Sequence, residues 1–435
     1  MALSGRFALL VALGVVPVVA AGIQGADDAW LALLGWLVLS LVAGALDLAL
    51  AASPRRVALT RSLPDRVRLG ETVTSELAVQ QLGSRTLRAV VRDGWEPSAG
   101  VAGPNRTRLT IPSGERRRMS LQLTPWRRGD RRTEEVTIRS AGPLGLWSRQ
   151  ATLAAPGRVR VLPPFHSRAH LPSRLTRLRE LDGRTPLLIR GQGTEFDSIR
   201  EYVRGDDVRS IDWRATARAG TTMLRTWRPE RDRHVVIVID TGRTAAARVG
   251  DGVRLDAAME AALLLAALAT RAGDHTHLLM FDRVTRARVT RVDGPALLPA
   301  LVDAMAPVEP QLIDTDWDAA FAQVRSLTSR PSLVVLLTAQ DAPEAARGFL
   351  GSLPALSRRA HVLVGTVTDA GQAPGERRDA AAVYRAAAAE RGARDAARVA
   401  AAIGRAGAEA VADSPESLPP RIADRYLELK ATGRL

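Results

Sequence analysis

Two apolar runs at the N-terminus constrain the architecture more than any later feature. Phe7 to Ile23 carries no charge, and after the polar turn Gln24-Gly25-Ala26-Asp27-Asp28 a second run extends from Ala29 to Ala52, with Asp47 its single charged residue. As a helix, each run reaches across the ~30 Å hydrocarbon core of a bilayer. Arg6 precedes the first run, Arg55 and Arg56 follow the second, and the connecting turn is acidic. The positive-inside rule therefore predicts a transmembrane helical hairpin over residues 1–56 in the plasma (inner) membrane, with both termini cytoplasmic and the turn outside. A cleaved signal peptide ending near Val-Val-Ala-Ala-Gly is the alternative. Against it, the first run exceeds the ~7–15-residue core of such a peptide and a second span follows at once. Asp47 lies so near the cytoplasmic end that it is expected to snorkel or face the partner helix rather than serve as an intramembrane functional group.

The 435 residues exceed one ordinary core, so two or three folded units are expected. The net charge of +15 invites a nucleic-acid reading. Lys430 is the single lysine, however, acids are mixed among the arginines, and Tyr and Phe are scarce, so nucleic acid is not the expected partner. Cysteine is absent, which removes disulfides, thiolate metal sites and Cys nucleophiles together.

From 57 to 164 short alternating runs such as VTSELAVQ, TLRAVVRD and MSLQLT, punctuated by Gly, Pro and Ser, predict an all-β sandwich-like domain. Trp95, Trp126 and Trp147 read there as core or sheet-edge aromatics, and the Gly142–Trp147 turn as packing on the sandwich. Residues 165–233 form a charged linker segment. From 234 to 435 the texture becomes that of a doubly wound α/β domain: the continuous apolar strands HVVIVID, SLVVLLTAQ and HVLVGTV alternate with helices such as RLDAAMEAALLLAALATRAG. Ligands in such a sheet sit beyond the carboxyl ends of the strands. His275 and His277, two apart with no third ligand nearby, read as surface residues.

The first apolar strand ends Asp240-Thr241-Gly242-Arg243-Thr244, an acid followed by a hydroxyl-bearing loop of the kind that supplies oxygen ligands to Mg²⁺. Strand order, this Asp and the loop spacing resemble a von Willebrand factor A domain, whose metal-dependent adhesion site uses a D-x-S-x-S loop, a Thr from a second loop and an Asp after a later strand. The resemblance implies Asp240, Thr244, Thr315 and Asp341 as a degenerate site. Gly242 replaces the first Ser, and Ala339 stands where the later Asp belongs. Any Mg²⁺ binding is thus expected to be weak, and otherwise Asp240 caps the loop.

The stretch GTEFDSIREYVRGDDVRSIDWRATAR, Gly193 to Arg218, holds six acids and five arginines among its 26 residues, threaded with apolar side chains. Thr194 with Asp197 reads as a capping box opening a helix on which Phe196, Ile199 and Val203 share a face, stopped by Gly205. A second turn is expected to bury Val208, Ile211 and Trp213. Glu195, Asp197, Arg200, Glu201, Arg204, Asp206, Asp207, Arg209, Asp212, Trp213, Arg214 and Arg218 form a candidate signature. It reads either as an ion-pair lattice joining domains or as a partner-docking surface.

With its continuation TWRPERDRHVVIVID, this stretch closely resembles bacterial proteins of the domain of unknown function 58 family, which combine a membrane hairpin, a β domain and a von Willebrand A-like domain. The resemblance implies a membrane-anchored scaffold or adaptor for a MoxR-type AAA+ ATPase, with a transglutaminase-like membrane protein as a further partner, in protein or complex maturation. The chain lacks a P-loop and a G-x-S-x-G elbow, so it is not expected to be an enzyme. The alternatives are a metal-dependent A-domain receptor, or a hydrolase using the acidic cluster Asp206, Asp207 and Asp212.

Overall fold

The computed structural model describes residues 2–23, 25–184, 195–204, 206–228, 233–250, 252–368 and 380–435. The chain divides into two compact units, Met1–Leu162 and Pro163–Leu435.

The first unit opens with a two-residue strand β1 (Ala2–Leu3), then helices α1 (Gly5–Leu13), α2 (Val15–Gly22) and α3 (Ala26–Leu50). The spans Gly5–Gly22 and Ala26–Leu50 are both long and apolar enough to cross a membrane. The first run divides at Gly14 instead of forming one helix. A Cβ there would come 2.2 Å from the Trp36 ring, and the Trp36 indole donates at 3.0 Å to the Leu10 carbonyl. The break thus frees a carbonyl that lipid could not satisfy and pairs it with an indole from the neighbouring helix.

Strands β2 (Val57–Ser62), β3 (Arg66–Arg68), β4 (Val73–Gln81), β5 (Leu87–Asp93), β6 (Val101–Ala102), β7 (Arg106–Ile111), β8 (Arg116–Leu123), β9 (Gly129–Ala141) and β10 (Trp147–Leu162) follow. They form two sheets, ordered β1-β10-β9-β5-β7, with β3 beside β10, and β2-β4-β8-β6. Alternation does the work expected of it: Met119, Leu121 and Leu123 of β8 are buried while their neighbours are exposed. The inward faces of both sheets share one core, with Val79, Leu87, Val91, Ile111, Ile138 and Val159 fully buried. Trp95 lies in it, whereas Trp126 is 61% exposed rather than at a packed edge, its indole donating to the Pro97 carbonyl.

Inside this core Arg61 of β2 forks onto Asp93 of β5 at 2.7 and 2.9 Å, joining the two sheets. Both side chains are almost wholly buried, at 4% and 1% exposure. Ser75 and the Ala155 carbonyl also accept from the guanidinium, and the Trp95 indole donates to Asp93.

The expectation for Asp47 is corrected. Its carboxylate neither snorkels nor faces a helix; it is 1% exposed and accepts the backbone N–H groups of Leu144 (2.7 Å), Leu146 (2.7 Å) and Trp147 (3.1 Å). The Gly142–Trp147 turn is therefore fastened to α3. The Trp147 ring lies against Gly44, where a Cβ would approach it to 2.5 Å, and meets Phe7 edge-on at 5.5 Å.

The second unit begins with α4 (Leu171–Arg184), whose narrow Leu171, Leu175, Leu178, Leu181 stripe is hidden among charges in the sequence. Next come β11 (Glu195–Glu201), α5 (Trp213–Ala219) and β12 (Met223–Arg228). Here the helix expected from 195 onward is a strand, paired antiparallel with β12. An isolated helix of seven residues is marginal, whereas β12 offers β11 a hydrogen-bonded partner once the chain has returned through α5. Thr194 and Gly205, invoked as helix start and stop, lie outside the described residues.

The remainder is an α/β layer structure of β13 (His234–Asp240), β14 (Arg248–Val249), β15 (Gly252–Val253), α6 (Arg254–Arg271), β16 (His275–Phe281), β17 (Thr285–Val289), α7 (Leu297–Met305), α8 (Trp317–Leu327), β18 (Leu333–Leu337), α9 (Arg347–Ser357), β19 (His361–Val367), α10 (Ala380–Arg405), β20 (Glu409–Asp413) and α11 (Leu418–Ala431). The main sheet runs β17-β16-β13-β18-β19-β20, with β17 antiparallel and the rest parallel. Side chains of α8, α9 and α10 pack on one face. On the opposite side α6, Ala- and Leu-rich and buried continuously from Ala257 to Ala269, packs with α4, α7 and α11. The chain moves outward from β13 in one direction through β16 and in the other through β18. The switch point therefore lies at the carboxyl ends of β13 and β18.

Removing one half of the buried Arg61–Asp93 pair leaves the other charge stranded in the sandwich core. Arg61→Met is expected to cost about 3–5 kcal/mol, and Arg61→Met/Asp93→Leu to recover much of it. Thermal unfolding of the detergent-solubilised variants measures this, and equal midpoints for single and double variants would contradict it.

Candidate functional site

The parallel ladder pairs Ile239 of β13 with Leu337 of β18, so the next residues along, Asp240 and Thr338, emerge side by side at the switch point. Asp240 is 4% exposed. One carboxylate oxygen accepts from the Gly242 N–H at 2.8 Å and the Thr315 hydroxyl at 2.5 Å; the other accepts from the Thr338 hydroxyl at 2.6 Å and, at 3.4 Å, from that of Thr244. Three of the four predicted residues are thus brought together. Asp341 is held apart, ion-paired with Arg254 at the start of α6. Thr338 was missed, although a hydroxyl closing an apolar strand in register with β13 is a readable signal.

Gly242 has a steric reason: a Cβ there would lie 2.4 Å from the Thr315 hydroxyl. The small cavity behind Asp240 is lined by Arg254, Thr338, Ala339 and Gly365. One carboxylate, three hydroxyls already donating to it and a guanidinium lining the same cavity do not fit a site for a divalent cation, which prefers several anionic or carbonyl oxygens. Next to it, Asp282 at the end of β16 is fully buried and accepts from Thr241, Arg286 and the N–H groups of Arg283 and Val284. Burial opposes its charge, but these donors, Arg286 foremost, outweigh it and hold the carboxyl below the usual carboxylate range.

The expected surface position of the histidines holds for His275 alone. His277 is 6% exposed, and its Nε2 lies 2.9 Å from Nδ1 of His234 with the rings stacked. Burial foremost, then the neighbouring His234 and His275, push the His277 imidazole down to about 4.

In the signature hairpin the acids organise the backbone. Asp206 forks between Arg200 (2.8 Å) and the Val203 N–H (3.0 Å). Asp207 caps the turn at Arg209, and Asp212 caps α5 through the Arg214 and Ala215 N–H groups at 3.0 Å while accepting from Arg225 at 2.7 Å. The Ala215 N–H and then Arg225 hold the Asp212 carboxyl below its ordinary range. Asp206 and Asp212 side chains are only 5% and 11% exposed, so they do not project at the surface. Trp213 and Val208, expected inside, are 72% and 62% exposed; the cap at Asp212 places Trp213 at the first position of α5, with its ring outward. Glu201, Arg204, Arg209, Arg214 and Arg218 are exposed, and these four arginines make no ion pair with a described residue. The side chains of Glu195 and Asp197 lie outside the described residues.

The family model described as Protein of unknown function DUF58 matches residues 198–374. Residues 198–374 are thus a DUF58 region. The match begins within the hairpin strand β11 and takes in Asp240, Thr315 and Thr338 as well, so both loci belong to it. No curated relative matches the sequence. Solved structures similar to part of this chain include the CARDB domain of a Pyrococcus furiosus protein in complex with di-metal ions (16% identity, 24% of this chain and 91% of that one, TM-score 0.18). Others are a FixG-related protein from Vibrio parahaemolyticus (8%, 24% and 96%, TM-score 0.18) and a β-glucosidase from Listeria innocua (15%, 24% and 16%, TM-score 0.15). At such TM-scores these likenesses carry no argument.

Two outcomes follow for the DUF58 α/β unit. Asp240→Ala leaves buried hydroxyls without their acceptor and should cost about 1–3 kcal/mol, while millimolar Mg²⁺ leaves the wild-type midpoint unchanged. A Mg²⁺-dependent rise lost in Asp240→Ala would show a working metal site. The second concerns pH. Because His277 stays neutral when folded but protonates near ~6.5 when unfolded, its contribution is full above that value and is lost as pH falls toward about 4. Between pH 7 and 5 the wild type should lose up to about 2 kcal/mol more than His277→Gln; parallel curves would contradict the assignment.

Proposed function

We propose that this chain is a membrane-anchored cytoplasmic scaffold of the DUF58 family whose signature hairpin docks a protein partner. The observation that carries the reading is the exposed Trp213. It is flanked in the chain by Val203 and Val208, 61% and 62% exposed, and by exposed Arg204, Arg209 and Arg214, none of which ion-pairs with a described residue. Trp and Arg are the residues that dominate protein interfaces, and Trp is costly to leave in water without a reason. Because Asp206, Asp207 and Asp212 are engaged by backbone N–H groups and by Arg200 and Arg225, the charge left facing solvent around Trp213 is mainly that of the arginines. It suits an acidic partner surface.

A MoxR-type AAA+ ATPase is the proposed partner, and a transglutaminase-like membrane protein a second one, both implied by the family resemblance. The two apolar helices, long enough to cross a membrane, support the anchor, and the arginine flanks support a cytoplasmic side for both termini. The α/β unit is read as von Willebrand A-like on its strand order, its antiparallel edge strand and the clustering of Asp240, Thr244 and Thr315. The receptor alternative draws little support from a single carboxylate. The hydrolase alternative draws little from Asp206 and Asp212, which are engaged by arginines and backbone N–H groups.

Trp213→Ala, and separately Arg209→Gln/Arg214→Gln, should leave the thermal midpoint almost unchanged, since exposed substitutions usually stay within about 0.5 kcal/mol. Co-purification of the MoxR-type AAA+ ATPase from detergent should weaken by about 2 kcal/mol or more. Folded Trp213→Ala protein that still retains the ATPase would overturn the docking assignment.

A further inference from the structure

We infer that one end of the β domain is itself a lipid-binding face, seated on the anionic surface of the leaflet from which α3 emerges. The inference rests on the reading that the two apolar helices span a bilayer. Three contacts set the height of this end. Asp47, one turn before the end of α3, holds the backbone of Leu144, Leu146 and Trp147. Arg149 donates to the Leu48 carbonyl at 3.0 Å, and Arg85 donates to that of Ala49. The loops at 82–86 and 142–146 are thereby level with the last turn of the span, a turn being ~5.4 Å of rise. They cannot stand off from the membrane while α3 crosses it.

What these loops present suits that position. Leu144 is 58% exposed at the tip of the turn held by Asp47, and Leu82 is 63% exposed beside Arg56, whose carbonyl accepts the Leu82 N–H at 2.9 Å. An exposed leucine alone means little. Here two flank a set of exposed arginines: Arg55 and Arg56 after α3, Arg85 on its loop, and Arg6, which donates to the Leu144 carbonyl at 3.2 Å. Glu115, the one carboxylate among residues 53–56, 82–86, 112–115 and 142–146, is paired with Arg117 at 2.8 Å. Leucines at the depth of the acyl boundary and guanidiniums at the depth of the headgroups form an interfacial anchor for an anionic leaflet. The turn at the far end of the helices carries Asp27 and Asp28 and no basic residue.

The chain has no cysteine, so single labels can be introduced cleanly. Full-length Leu82→Cys and Leu144→Cys, each carrying an environment-sensitive fluorophore, are reconstituted in vesicles of phosphatidylcholine alone or with phosphatidylglycerol. Ala102→Cys, at the opposite end of the sandwich, is the distal control, and Leu34→Cys, within α3, reports insertion. Expected are headgroup-nitroxide quenching at 82 and 144 but not at 102, and a quenching at least twofold stronger with phosphatidylglycerol that Arg55→Gln/Arg56→Gln/Arg85→Gln abolishes. If deep-nitroxide lipid fails to quench the label at 34, the spanning reading itself falls. If it quenches there while 82 and 144 behave like 102, or respond equally in both vesicle types, the anionic lipid face is overturned and the span stands.

Discussion

A carboxylate near the end of an apolar helix would be a liability if left alone, and the first unit is organised around its satisfaction. Among the described residues Asp47 has no ion-pair partner; three backbone N–H groups of the Gly142–Trp147 turn serve instead. Charge-assisted bonds of this kind are among the stronger ones available. They also fix geometry. Gly142 must lack a side chain, because a Cβ there would come within 2.2 Å of the Asp47 carbonyl. With the turn fastened, Trp147 settles on Gly44 and Phe7, and β1 adds to the edge of β10 next to the same turn. The helices and the sandwich therefore share one joint rather than a linker.

The second unit uses its acids in the same manner with different partners. Asp240 gathers an N–H and three hydroxyls at the switch point, and Asp282 beside it gathers two N–H groups, a hydroxyl and a guanidinium. Asp274, 6% exposed, accepts from the Tyr426 hydroxyl and from Lys430, tying α11 to the segment between α6 and β16. The one lysine of the chain is thus committed to a core contact. Sites that look like ligand cages in sequence are largely closed by internal donors, which explains why an acid at the end of a strand does not by itself make a metal centre.

Periodicity carried most of the fold. Strands buried on both faces, such as HVVIVID, and the alternating β runs report directly on which faces are covered, and the structure follows them closely. Chemistry at element ends was far less legible. The partner of Asp47 lies about a hundred positions away in sequence, and no local pattern announces it. Thr338 joins Asp240 only through strand register. The signature misled because Phe196, Ile199 and Val203 satisfy a helical spacing, while the decision belonged to a pairing strand beyond Gly220. Trp213 was placed inside on hydrophobicity alone, whereas the cap at Asp212 sets the phase of α5 and turns it outward.

These placements change what the net charge means. Asp47, Asp93, Asp206, Asp212, Asp240, Asp274 and Asp282 are all buried or nearly so and engaged by donors, whereas Arg6, Arg55, Arg56, Arg204, Arg209 and Arg214 face solvent. A formal charge of +15 therefore understates how basic the surface is, because a disproportionate share of the negative charge is withdrawn from it. The scarcity of stacking aromatics argues against bases as the counterpart of that surface. What the arginines are interleaved with is leucine at one locus, and valine and tryptophan at the other. That composition matches surfaces combining negative charge with apolar depth, a leaflet boundary in the first case and an acidic protein groove in the second.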